Sequence, residues 1–241
     1  MSGTLHILGV GPGDPELVTL RAARLLGAAG AYAFFAKRGR PGHARSIAAP
    51  HLNPAAEELR FDYPFTTDLS VDDPRYAEGM ARFYDGCAAA VAERLAAGQD
   101  VALLCEGDPF LYGSAMYLFD RLRGTQRVEV TPGITAMSGC WSRAGVPMVH
   151  GDDSLSVLPA TMPQEELTAA LTRCDAAVVM KLGRNLPKLR AALAASGRGE
   201  GAVYAERGTM ADEIILPLAG RDDSAAPYFS LVLIPGRRGV R

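Results

Sequence analysis

The stretch Leu5-His6-Ile7-Leu8-Gly9-Val10-Gly11-Pro12-Gly13-Asp14 decides how the chain is to be read. A short apolar run passes into a glycine-rich turn, and Thr19 then stands as an N-cap for a helix carrying Leu20, Ala23 and Leu26. Strand, loop and helix in that order open an α/β sheet, whose ligands bind outside the carboxyl ends of its strands. The loop is not a dinucleotide fingerprint. Asp14 stands where a third glycine is required, Pro12 lies inside the turn, and the second strand ends in Phe35-Ala36-Lys37 instead of a ribose-binding carboxylate. A P-loop is excluded as well, because Gly-Lys-Ser/Thr occurs nowhere. Taken alone, the same residues also suit a tight glycine turn with no ligand.

Outward from this unit the alternation continues. Residues 31–36 read as a second strand, 37–45 as a basic turn-rich segment, and 59–61 as a third strand. Residues 76–97 place Met80, Phe83, Tyr84, Cys87, Val91 and Leu95 at intervals of three and four, one face of an amphipathic helix closed by Gly98. Residues 101–105 form a buried strand without alternation; a helix ending near Arg123 and a strand at 128–131 follow. Apolar strands alternating with helices imply a mostly parallel sheet covered on both faces. From residue 154 the pattern changes, with strands at 154–158, 177–181, 202–205, 213–218 and 229–234 and helices at 164–173 and 186–196. The link between the last two strands looks too short for a helical crossover, which predicts an antiparallel pair in a mixed sheet. The expected organisation is therefore two α/β domains, residues 1–145 and 146–241.

Composition bounds the function. The chain has 241 residues, 48% of them hydrophobic, with 25 basic and 27 acidic side chains. Disorder is excluded by that apolar fraction, and the near-neutral balance gives no global attraction to nucleic acid or to an anionic membrane. No apolar run approaches the ~20 residues of a membrane helix, and the start of the chain lacks a basic region before its apolar run; a cytoplasmic location is expected. Cys87, Cys105, Cys140 and Cys174 are far apart and form no Cys-x-x-Cys pair, which suggests neither a disulfide framework nor a zinc site. No metal is expected, since the histidines have no i, i+4 partner.

Two further loops follow strands. Glu106-Gly107-Asp108-Pro109-Phe110-Leu111-Tyr112-Gly113-Ser114 offers carboxylates beside a glycine that lets a ligand approach the backbone, although Asp108 also suits a plain turn. Thr131-Pro132-Gly133-Ile134-Thr135-Ala136 sets small residues and a hydroxyl at the opening of a helix, a pattern shared with ordinary caps.

Taken together, Gly-x-Gly-Pro-Gly-Asp at 9–14, Gly-Asp-Pro at 107–109 and Pro-Gly-Ile-Thr-Ala at 132–136 resemble, in order and spacing, the hallmark loops of the tetrapyrrole (corrin/porphyrin) methylase family. The resemblance covers nearly the whole chain. Segments 151–160, 180–187 and 227–231 narrow it to the branch that methylates C20 of precorrin-2 or its cobalt form in cobalamin biosynthesis. The alternatives are methylation at another position of a corrin precursor, and a protein that binds a tetrapyrrole or nucleotide without catalysis. The resemblance implies two α/β domains with S-adenosylmethionine in the cleft between them, and a homodimer. It implies cofactor contacts at Pro12, Glu106, Gly107, Asp108, Leu111, Thr135 and Ala136, with Leu182 and Gly208 from the second domain.

One departure bears on substrate. Relatives that methylate uroporphyrinogen end the second strand in Tyr-Asp, where this chain has Phe35-Ala36; this argues against uroporphyrinogen and leaves no catalytic base assigned. His150, Asp152 and Asp153 flank the expected domain junction, but each equally suits a solvated loop. A tetrapyrrole polycarboxylate calls for cations, and Lys37, Arg38, Arg40, His43 and Arg45 form one cluster, Lys181, Arg184 and Lys188 another. Lys37, Arg38, Arg40 and Arg184 are the expected substrate contacts.

Overall fold

The computed structural model describes residues 2–65 and 73–236. The chain divides into two compact units, Met1–Thr135 and Ala136–Arg241.

In the first unit the elements run β1 (Thr4–Gly9), α1 (Leu20–Ala28), β2 (Ala31–Ala36), α2 (His43–Ala48), β3 (Glu57–Asp62), α3 (Pro74–Ala96), β4 (Val101–Cys105), α4 (Ala115–Leu122) and β5 (Arg127–Thr131). All five strands are parallel, in the order β3-β2-β4-β1-β5. Thr19 caps α1 by accepting from the Ala22 amide at 3.2 Å. Asp73 caps α3 from the Arg75 amide, with Pro74 in the first turn. The apolar stripe of α3 buries Tyr84, Cys87, Val91 and Leu95. It does so against one sheet face, with Leu5, Ile7 and Leu103, while α1 and α2 cover Leu8, Phe34 and Leu104 on the other. Burial on both faces explains why β4 is apolar at every position and why β1 carries Ile7 and Leu8 in succession.

The second unit contains α5 (Ala136–Ala144), β6 (Leu155–Pro159), α6 (Gln164–Arg173), β7 (Ala176–Met180), α7 (Leu186–Ser196), β8 (Val203–Glu206), β9 (Ile214–Pro217) and β10 (Ser230–Ile234). Its sheet is mixed, in the order β6-β7-β10-β8-β9. The expected antiparallel pairing of the last two strands is overturned. β10 inserts between β7 and β8 and is antiparallel to both, while β9 is antiparallel to β8 on the far side. β9 and β10 therefore run in the same direction without touching. Residues 218–229 pass over β8, and for strands this short they suffice as a crossover of about a dozen residues.

The division between units falls at Thr135–Ala136, whereas the sequence placed the junction near residue 146. The physical reason lies in α5, whose Met137, Cys140, Trp141 and Ala144 pack with Val178, Ala205 and Leu231 of the second sheet.

Candidate active site

The order of the first sheet determines which loops become neighbours. β1 lies between β4 and β5, and the registers Gly9 to Cys105 and Leu8 to Thr131 end the three strands at one level. The three glycine loops thus emerge side by side at the carboxyl edge. There they meet backbone to backbone. A Cβ on Gly9 would lie 2.6 Å from the Gly107 oxygen and 2.5 Å from the Gly133 nitrogen, and one on Gly133 would lie 2.1 Å from the Gly107 oxygen. The Gly107 amide donates to the Gly11 carbonyl at 2.8 Å, closing an isolated bridge between the first two loops. Gly11 and Gly107 have φ of +81° and +63°, a region that suits glycine.

The two acidic residues of the second loop both hold structure. Asp108 accepts from the Phe110 amide through Oδ1 at 2.9 Å and from the Gly133 amide through Oδ2 at 3.1 Å, tying the second loop to the third. Glu106 accepts from the Ala44 amide at 3.0 Å, serving the first turn of α2, whose N-cap Gly42 has no side chain to do so. Leu111 is half-buried and its amide bonds the Asp108 carbonyl at 3.2 Å, whereas Pro12 is buried. Burial pushes the Cys105 thiol beneath this edge up to about 12. Thr135 ends the first unit and Ala136 begins α5 in the second.

At the carboxyl end of β2, Phe35 stacks on Tyr63 with ring centroids 5.6 Å apart and also meets Phe61, Phe83 and Tyr84. Ala36 beside it is buried. Where uroporphyrinogen-methylating relatives are expected to have Tyr-Asp, this chain has an aromatic cluster. Tyr63 donates to the Ser114 hydroxyl at 2.7 Å, and burial pushes the neighbouring Tyr84 up to about 12. Sequence reading named Ser114 as the end of the second loop and did not single out Tyr63; their contact joins the end of β3 to that loop across 51 residues of chain.

In the second unit the carboxyl ends of β7 and β8 flank the amino end of β10, and the Arg207 amide donates to the Phe229 carbonyl at 2.8 Å. Leu182 and Arg184 follow β7 and Gly208 follows β8, so one sheet edge carries all three. The Leu182 side chain is committed to the core, while Arg184 is exposed. Lys181, Arg207 and Thr209 adopt positive φ of 58°, 49° and 70°. Non-glycine residues in this region persist only where their surroundings hold them, and they concentrate at functional sites. Glu206 is buried, receives the Tyr204 hydroxyl at 2.6 Å and pairs with Arg207 at 2.5 Å. Glu213 accepts the Thr209 amide at 2.9 Å and is bound by two nitrogens of Arg143. Arg143, and then burial and the Thr209 amide acting against each other, leave its carboxyl below the ordinary range. Gly208 lies directly against Cys140 of α5, where a Cβ would come within 2.5 Å of the sulfur. Ala136 and Gly208 thus belong to one packed assembly of α5 and the 207–213 loop.

Of the candidate cations, Lys37, Arg38 and Arg40 are exposed in the turn after β2. Arg45 pairs with Glu58 at 3.4 Å, and Lys188 donates to the Met162 carbonyl at 2.7 Å. Asp153 accepts the His150 amide at 3.0 Å within a turn.

The chain belongs to the tetrapyrrole (corrin/porphyrin) methylases: the family model matches residues 4–220, a span that includes all three glycine loops and the positive-φ loops of the second sheet. The chain is 55% identical over 97% of its length to precorrin-2 C(20)-methyltransferase of Sinorhizobium sp, covering 96% of that protein. It is 30% identical to cobalt-precorrin-2 C(20)-methyltransferase of Salmonella typhimurium, with 97% of each chain covered. The fold matches uroporphyrin-III C-methyl transferase from Thermus thermophilus complexed with S-adenosylhomocysteine, with a TM-score of 0.65, 22% identity and coverage of 97% and 92%.

Proposed function

We propose that the chain transfers the methyl group of S-adenosylmethionine to C20 of precorrin-2 in cobalamin biosynthesis. The observation that carries this is full-length identity of 55% to a precorrin-2 C(20)-methyltransferase, spanning both units and every hallmark loop. Identity to the cobalt-precorrin-2 enzyme is 30%, which favours the metal-free substrate.

The donor would be held by backbone and small side chains. Pro12, Glu106, Gly107, Asp108, Leu111 and Thr135 belong to the loops at the carboxyl edge of the first sheet; Ala136, Leu182 and Gly208 belong to the second unit. The first edge suits such a ligand, because its glycines carry no side chains, so that backbone groups line it, while Glu106 and Asp108 hold the loops in place through the Ala44, Phe110 and Gly133 amides. When bound, S-adenosylmethionine supplies an electrophilic methyl on a sulfonium. The meso carbon of a reduced tetrapyrrole has enamine character, so what the protein must provide is in-line alignment and exclusion of water. Transfer would break the carbon–sulfur bond as the carbon–carbon bond forms, giving S-adenosylhomocysteine, with the C20 proton passing to water. Lys37, Arg38, Arg40 and Arg184 are the cations we assign to the substrate carboxylates.

Incubation with methyl-labelled S-adenosylmethionine and precorrin-2, followed by locating the labelled carbon, tests the assignment. Label at C20 is expected; label at another ring position, or no S-adenosylhomocysteine, would overturn it. We also propose a homodimer, checked by sedimentation equilibrium, and a cytoplasmic location, checked by fractionation. Among the described residues no helix is long and apolar enough to cross a membrane.

A further inference from the structure

The turn after β2 carries more positive charge than its surroundings neutralise. Lys37, Arg38 and Arg40 fall within four residues, all exposed. Among the described residues the ion pairs of this region are Arg45 with Glu58 and Arg60 with Asp62, and none involves those three. Like charges so close repel, and a free loop would let them separate. This turn is instead pinned. The Arg40 amide donates to the Lys37 carbonyl at 3.0 Å, and Gly39 has φ of +72°, as a turn with a left-handed third residue requires.

The pin is Arg60, on the neighbouring strand β3. Its Nη2 donates to the Lys37 carbonyl at 3.2 Å and to the Arg40 carbonyl at 2.7 Å, while Nε donates to Asp62 at 2.9 Å. The guanidinium lies 6.0 Å from the centre of the Phe34 ring. Downstream, Gly42 leaves no room for a Cβ against Phe34, and Glu106 takes the Ala44 amide. The basic segment is therefore held from both ends, beside the second glycine loop, because β2 and β4 are adjacent.

We propose that Arg60 is a positioning residue: by gripping both carbonyls of the turn it presents Lys37, Arg38 and Arg40 as a preorganised receptor for neighbouring carboxylates of the tetrapyrrole. The inference rests on the substrate reading given above. Preorganisation raises affinity by removing the ordering cost at binding. Arginine suits the task because its planar guanidinium serves both carbonyls through Nη2 while Nε holds Asp62, an orientation that the point charge of lysine does not fix.

The test compares the wild type with Arg60→Gln, Arg60→Lys and the double variant Arg38→Ala/Arg40→Ala. Steady-state constants for each substrate are combined with fluorescence titration of uroporphyrin, a stable polycarboxylate probe that needs no turnover. Arg60→Gln is expected to raise KM for precorrin-2, and Kd for the probe, about tenfold, while KM for S-adenosylmethionine and kcat stay within about twofold. Arg60→Lys is expected to recover little of the loss. Wild-type KM and Kd in Arg60→Gln would overturn the proposal. So would full recovery in Arg60→Lys, which would assign the effect to charge alone, or a common rise in both KM values with a lowered Tm. If the double variant binds and turns over like wild type, the carboxylate reading of these cations fails, independently of Arg60. If wild type fails to methylate precorrin-2, the functional reading fails and the probe titrations alone decide the role of Arg60; a probe that does not bind wild type overturns it.

Discussion

Asp108 shows what a residue-scale reading of sequence reaches and where it stops. Its place beside a glycine and a proline marked a ligand loop, but its two carboxylate oxygens take the Phe110 and Gly133 amides, and no local pattern could show the second contact. Gly133 is constrained in the same non-local way. Gly133→Ala would place a Cβ 2.1 Å from the Gly107 oxygen, backbone against which no side chain can give way. It should destabilise the first unit by about 3 kcal/mol or more, read as a lowered Tm, with loss of S-adenosylhomocysteine binding. The cysteines offer a second check. Burial pushes Cys87 and Cys105 up to about 12 and Cys140 up to about 11, away from the thiolate form. Iodoacetamide at neutral pH should therefore leave these three unmodified in the native protein and alkylate them in denaturant, as followed by mass spectrometry.

At the scale of elements, helices and strands were legible because their signals are local: the three-and-four spacing of α3, its closing glycine, and the apolar runs of β1 and β4. The direction of β10 was not. It depends on which strands it pairs with, and a short connection permits a crossover when the strands themselves are short. The assignment of α5 likewise depends on the sheet its apolar face meets. What holds α5 to the 207–213 loop is the contact of Gly208 with Cys140 and the pair Arg143 with Glu213. Arg143 is more than half exposed, which screens the pair. Glu213→Gln should cost about 0.5–1 kcal/mol at neutral pH. Because the folded-state pKa of Glu213 is lowered, its contribution is present above about 4.5 and is lost as pH falls below that value. Wild type and variant should therefore converge in acid, as urea titrations across pH would show; a constant difference would exclude the ion pair as the cause.

Stability against pH belongs to the whole molecule, and His6 is the group expected to set its onset near neutrality. It is buried beside Glu129 and Asp100, with Arg21 and Arg127 also close. Burial outweighs the two carboxylates and lowers its pKa below 6.5. The unfolded chain then binds this proton first, so stability is full above about 6.5 and falls as pH drops through the lowered value. His6→Gln should flatten that slope in denaturant titrations between pH 7 and 5 (about the window in which histidine titrates). By itself the sequence determined two α/β regions, a near-neutral chain and three glycine loops after strands, because periodicity and turn chemistry act over a few residues. Tertiary structure alone decided that β1 lies between β4 and β5, bringing those loops to one edge, and that β10 enters the middle of its sheet. It also decided that Arg60 reaches across from β3 to hold a turn of three cations. These depend on pairing and packing between residues far apart in the chain, which no local pattern encodes.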